Sequence, residues 1–172
     1  KTRQDIGVVL DEACLPDELT AQQIGSVMRG VYANWDDAAF AQYCARFDLP
    51  EKKKIKEYSR GMKMKLAIAA ALSHKAKLLV LDEATGGLDP IVRDEILDLF
   101  NDFTREEDHA ILLSSHIVSD LEKICDYIVF LHKGRVLLAG EKDALLENYA
   151  LLNITREDYA AMDKRGVLRA MD

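Results

Sequence analysis

Residues 78–81, Leu-Leu-Val-Leu, form a continuous apolar run with no polar position to face water. A strand of that kind must be covered on both faces, which a sheet flanked by helices provides. A second apolar run, "AILLSS" at 110–115, follows a segment that opens with Asp89-Pro90. Asp at an N-cap and Pro at the first helical position start a helix, expected here to run to about Glu107. Strand, helix and strand in this order predict a parallel sheet and an α/β fold. The 172 residues suffice for one domain with a real core.

The remaining pattern supplies the other layers. "IGVVL" at 6–10 reads as a short strand. Thr20 and Gln23 have capping-box spacing, and Ile24, Val27, Met28 and Val31 fall on one helical face. A second helix follows with Phe40, Tyr43, Cys44 and Phe47, so 20–48 form a small helical layer ended by Leu49-Pro50. "EKKKIKE" (51–57) reads as a solvated charge run. A helix over roughly 60–74 is rich in small residues, which suits close approach to a sheet. "VSDLEKIC" is a short helix, "YIVFLHKGRVLLAG" a hairpin turning at Lys133-Gly134, and "KDALLENY" a last clear helix. The tail after Tyr149 is ambiguous.

Chemistry concentrates at the ends of the two buried runs. An apolar strand ending in Asp82-Glu83 is a Walker B pattern: the first acid can hold Mg²⁺ through water, and the second can orient or deprotonate an attacking water. Taken alone, the pair fits a strand that merely ends in acids equally well. "YSRGM" (58–62) precedes the small-residue helix, where a Ser hydroxyl and backbone N–H groups can meet an anion; a plain Ser cap is the simpler account of that segment by itself. His116 ends the second run in "LLSSH" and can reach a γ-phosphate or a water, or stand solvated.

Order and spacing join these elements. The chain resembles the nucleotide-binding subunit of ABC transporters over roughly residues 4–148. "YSRGM" resembles the signature motif, "LLVLDE" Walker B, "GGLD" the D-loop, and His116 the switch histidine; "IGVVLDE" followed by "LPDELT" resembles the Q-loop region. The YSRGM form and "GGLDP" lean toward exporter-like ATPases that serve ABC-2-type permeases. The resemblance implies a P-loop NTPase-type parallel sheet with an inserted α-helical subdomain: 1–15 the strand and Q-loop region, 16–75 the helical subdomain ending in the signature helix, 76–148 part of the α/β core, and 149–172 a C-terminal extension. It assigns Glu83 as general base, His116 to the γ-phosphate side, Asp82 to Mg²⁺, Asp89 to the dimer interface, and Ser59, Arg60 and Gly61 to the partner subunit's nucleotide.

Three departures stand out. Arg60 occupies a Gly position of the signature and Met62 a Gln position. The Q-loop glutamine falls on Asp11, with Glu12 as the other candidate. No Gly-Lys pair occurs, so GxxxxGK[ST] is missing. The nearest spacing, "GSVMRGVY" (25–32), puts Val31-Tyr32 where Lys-Ser would stand, and its glycines are expected to serve helix contacts. The chain opens without Met at a strand edge and reads as the later part of a longer protein. With the P-loop strand absent the sheet is incomplete, 110–115 is expected to carry a raw apolar edge, and this stretch alone is expected neither to bind ATP and Mg²⁺ tightly nor to hydrolyse ATP.

Net charge −7 speaks against nucleic acid as the main partner. Cys14, Cys44 and Cys125, odd in number and without metal spacing, read as reduced thiols. No apolar run approaches the ~18 residues of a membrane span. The resemblance implies a cytoplasmic protein, peripheral at the inner face of the cell membrane. Its partners would be a second ATPase subunit, identical or not, and an integral membrane permease met through the helical subdomain. Two other readings remain at this stage: a non-catalytic, P-loop-less module of such a complex, and a soluble ABC ATPase of translation or DNA repair.

Overall fold

A computed structural model describes residues 2–11, 14–148 and 154–165. They divide into two compact units, Lys1–Cys125 and Asp126–Asp172.

The first unit is built on three parallel strands, β1 (Ile6–Val9), β2 (Leu78–Asp82) and β3 (Ala110–Ser114), in the order β1-β2-β3. Ile6 pairs with Leu78 and Val9 with Leu81; Leu78 pairs with Ala110 and Asp82 with Ser114. This register places the carboxyl ends of all three strands at one edge, where open α/β sheets gather their chemistry. β2 is central, and Leu79 and Leu81 are buried as its apolar run predicts. Among the described residues β3 pairs with β2 alone, and Leu112 is exposed.

Helices α1 (Ala21–Val31), α2 (Asp37–Arg46), α3 (Arg60–Leu72), α4 (Pro90–Phe103) and α5 (Val118–Ile124) complete this unit. α3 lies directly on β1. A Cβ at Gly7 would stand 2.7 Å from Leu79 Cδ2 and 2.9 Å from the Ala71 carbonyl, so only glycine admits this approach. The alanines 69–71 keep the helix side equally low. Phe100, Ile96, Leu66, Ile68 and Met64 fill the core between helices and sheet.

The Thr20–Gln23 capping box opens α1 as expected: Thr20 Oγ1 accepts from Gln23 N, and Gln23 Oε1 accepts from Thr20 N at 2.9 Å. The inward arc of α1 is Ala21, Ile24, Gly25 and Met28, which leaves Val27 and Val31 on its margin and exposed. Gly25 abuts the Phe40 ring, whereas Gly30 faces open space, so only the first is a contact position. In α2, Phe40 and Cys44 are buried, as is Phe47 at its C-cap.

Three boundaries differ from the pattern. The run 51–57 is not wholly solvated: Ile55 is fully buried. Its N–H donates to Leu19 O at 2.9 Å and that of Lys56 to Asp17 O at 3.0 Å. The lysines on either side remain in water, paired with Glu18. α4 ends at Phe103 rather than near Glu107, because the Phe103 ring stacks on His109 and His109 Nδ1 meets the Phe103 carbonyl at 3.1 Å. The turn between them leaves Asp108 paired with Lys77. The strand at 6–10 ends at Val9, and Leu10 is exposed.

The second unit contains an antiparallel hairpin, β4 (Tyr127–His132) and β5 (Arg135–Glu141), followed by α6 (Lys142–Asn148) and α7 (Arg156–Ala161). Lys133 (φ 47°) and Gly134 (φ 73°) both take the left-handed conformation, which matches the twist of a two-residue hairpin. Among the described residues no helix is long and apolar enough to cross a membrane.

Candidate functional site

β2 delivers Asp82 and Glu83 to the carboxyl edge of the sheet, and β3 delivers Ser114 and then His116. Ser114 Oγ donates to Asp82 Oδ1. The chain turns sharply at Glu83, whose φ of 50° is unusual for a residue with a side chain. Two backbone bonds hold that turn: Glu83 N to Ser114 O at 3.1 Å and Gly86 N to Glu83 O at 2.9 Å. The turn swings the Glu83 carboxylate sideways, so that Oε2 lies 2.7 Å from His116 Nδ1. Glu83 is largely shielded while the His116 ring stands in solvent, their side chains 28% and 76% exposed. A shielded carboxylate contacting an exposed imidazole can take up or pass on a proton at the open side of the sheet.

The other expected residues lie along the same edge. Ser59 caps α3, its Oγ accepting from Met62 N at 3.2 Å, so the simple cap is present. Asp89 caps α4, its Oδ1 accepting from Val92 N at 3.1 Å. A Cβ on Gly61 would lie 3.4 Å from Leu88 Cδ2, which sets the start of α3 beside the turn 86–89. Arg60 runs alongside Gly87, where a Cβ would meet its Cδ at 3.6 Å, and its guanidinium pairs with Asp11. Lys63 pairs with Asp17 at 2.7 Å. The two ion pairs line a polar cleft of about 540 Å³ between the segment after β1 and the first turn of α3. Glu12 lies outside the described residues.

Asp11 therefore engages Arg60, whereas Asp82 engages Ser114. Among the described residues no three His, Cys, Asp or Glu side chains converge on one metal position. Asp82 and Ser114 present hard oxygen donors at the carboxyl edge of the sheet, the donor type that suits Mg²⁺.

A second groove, about 250 Å³ and mainly apolar, lies between β1, α1 and α3, lined by Val8, Leu10, Leu15, Met28 and Tyr32. His74 closes its floor. It is buried, stacks on Tyr32 at 3.9 Å, and contacts the Ile6 and Ala70 carbonyls at 3.1 and 3.3 Å.

One cluster escaped the sequence reading. Asp120 and Thr85 are both 1% exposed, and Thr85 Oγ1 donates to Asp120 Oδ2 at 2.7 Å. Arg93 Nε lies 3.3 Å from the other carboxylate oxygen. The available signal was Asp120's place among Ile117, Leu121 and Ile124, an acid on an otherwise apolar helical arc.

The model of the ABC transporter family matches residues 1–86. The ABC transporter ATP-binding protein YtrB of Bacillus subtilis (strain 168) is 31% identical over 149 residues, which is 87% of this chain and 51% of that protein. The bacitracin transport ATP-binding protein BcrA of Bacillus licheniformis is 43% identical over 86 residues, 50% of this chain and 28% of its own. The chain thus spans about half the length, or less, of the curated relatives it matches. The structure of an ATP-binding subunit of an ABC transporter superposes with a TM-score of 0.75 at 26% identity, covering 92% of this chain and 68% of its own. A dimeric ATP-binding cassette bound to ADP and Pi in a post-hydrolysis state shares the fold, with a TM-score of 0.70 at 22% identity over 81% of this chain and 64% of its own.

Proposed function

Because this chain belongs to the ABC transporter family, we propose that it is the later part of an ATP-binding subunit whose complete form hydrolyses ATP to drive transport through a membrane permease. The observation that carries this reading is the 2.7 Å contact between His116 and Glu83 beside Asp82, at the carboxyl edge of the parallel sheet. A candidate base, a partner that holds it and a hard-cation ligand meet there, a combination that can position a water and neutralise phosphate charge in phosphoryl transfer.

In the complete protein Glu83 draws the proton from the attacking water, and His116 steadies the γ-phosphate side while holding the Glu83 carboxylate. Mg²⁺, when bound with ATP, neutralises phosphate charge, and Asp82 with Ser114 would hold it. Ser59, Arg60 and Gly61 at the start of α3 complete the site of a second subunit, and Asp89 crosses to that subunit. Residues 16–57 and the apolar groove beside Tyr32 and Val8 receive the permease, which places the protein at the inner face of the cell membrane. The transported substrate does not touch these elements.

The experiment is a mixed dimer of the complete protein, one subunit carrying Ser59→Arg and the other Glu83→Gln. Loss of turnover confined to the site lined by the altered signature supports action across the interface. Equal loss at both sites contradicts it.

A further inference from the structure

Asp120 is an acid with 1% exposure on a seven-residue helix. Burying a carboxylate is unfavourable unless it is paired and hydrogen-bonded. Its two oxygens divide the task. Oδ2 accepts from Thr85 Oγ1 at 2.7 Å. Oδ1 faces Arg93 Nε at 3.3 Å, an ion pair short of hydrogen-bond geometry, and neither atom has a hydrogen-bond partner.

The three residues sit next to the three motifs of the site. Thr85 is two residues after Glu83, Arg93 four after Asp89, and Asp120 four after His116. Thr85 also belongs to the turn that fixes Glu83, since Leu88 N donates to Thr85 O and Gly86 N to Glu83 O. The segment carrying His116 needs such a tether. α5 has no side-chain cap at Ile117, and a helix this short does not hold its own shape. The His116 ring is mostly in solvent, so its surroundings do not fix it. The Ile117 N–H is held by Ser115 Oγ at 3.0 Å, and Lys123 at the far end of α5 reaches Asp94 of α4 at 2.9 Å. The buried Asp120 adds the link from the start of α5 to the turn after Glu83 on one side and to Arg93 of α4 on the other.

We propose that Asp120 is a positioning residue: through Thr85 and Arg93 it sets the contact between His116 and Glu83 and links that contact to the helix capped by Asp89. The proposal rests on the catalytic reading given above.

The test uses the complete protein and compares Thr85→Val, which keeps the shape and removes the hydroxyl, with Thr85→Ser, which keeps the hydroxyl. Displacing a catalytic group slightly costs turnover more than binding, so Thr85→Val is expected to lower kcat by about tenfold or more. The KM for ATP should stay within about twofold. Thr85→Ser should restore kcat. Asp120→Asn gives a second variant, with kcat measured per folded molecule, and is expected to fall likewise. A kcat for Thr85→Val within about twofold of wild type, or a variant that only melts earlier with unchanged activity per folded molecule, would overturn the positioning role. Turnover that survives Glu83→Gln in the same assay would instead overturn the reading beneath it, and the positioning role with it.

Discussion

Arg60 and Asp11 pair with one another: the guanidinium at the start of α3 meets the carboxylate of the segment after β1. Two positions that the sequence reading sets apart from the signature and Q-loop patterns are thus joined in one ion pair. The cation at the start of α3 is answered by the anion after β1, and the Arg60 side chain runs alongside the glycines of the turn 86–87.

Both partners stand well in water, at 60% and 46% side-chain exposure. An exposed pair contributes about 0–1 kcal/mol. Arg60→Gly and Asp11→Asn are each expected to shift unfolding stability by less than about 1 kcal/mol, and the double variant no more than the larger single effect. A double-mutant cycle by urea unfolding checks this; a coupling energy of about 2 kcal/mol or more would show the pair to be a structural anchor.

Ile55 is expected to be among the costliest positions of the helical layer. It is fully buried inside a lysine-rich segment and fastens 54–57 to 17–20. Ile55→Ala should destabilise the chain by about 2–5 kcal/mol, against less than about 0.5 kcal/mol for Lys53→Ala beside it. Equal effects in chemical denaturation would mean that the segment is solvated throughout.

Glu18 receives hydrogen bonds from Lys54 and Lys56, at 2.7 and 2.9 Å. The two ammonium groups pull its carboxyl from the ordinary 4.5 down to about 2. A folded-state value below the unfolded one means that the contribution to stability is present above pH 4.5 and is lost as the pH falls toward about 2. The group is exposed, so salt should weaken the effect. A carboxylate titration by NMR should find Glu18 well below the ordinary carboxylate range, and Lys54→Met should raise it. An ordinary value for Glu18 at low salt would contradict the geometry.

Much of this architecture is legible in the amino-acid order because the decisive interactions are local or periodic. Leu78 to Leu81 announce a strand covered on both faces, Asp89-Pro90 a helix start, Thr20 and Gln23 a capping box, and Lys133-Gly134 a two-residue turn. Each needs at most a few neighbouring residues. The misses depend on residues far apart in the chain. Ile55 is buried because Leu19 and Asp17 supply hydrogen bonds from across the helical layer. Asp120 is buried because Thr85 and Arg93 wait for it, 35 and 27 positions earlier. The candidate site residues rest on resemblance one by one, whereas the pairings of Arg60 with Asp11 and of Ser114 with Asp82 are properties of the fold.

The 172-residue chain by itself lacks any Gly-Lys pair. A P-loop provides most of the phosphate contacts, each a charge-assisted hydrogen bond of about 1.5–3 kcal/mol. Titration calorimetry of Mg-ATP into this chain should therefore give no binding in the micromolar range. Micromolar affinity would mean that the edge formed by Asp82, Glu83 and His116 holds nucleotide without a P-loop.

The most direct test is Glu83→Gln in the complete protein, followed by ATP turnover and by the mass of the nucleotide-bound species. The substitution keeps the size of the side chain and its contact with His116 while removing the base. The expected result is unimpaired ATP binding, loss of hydrolysis, and a dimer that accumulates with ATP held between its subunits. Turnover close to that of the unaltered protein would show that Glu83 is not the base and that the contact with His116 does not mark the catalytic centre.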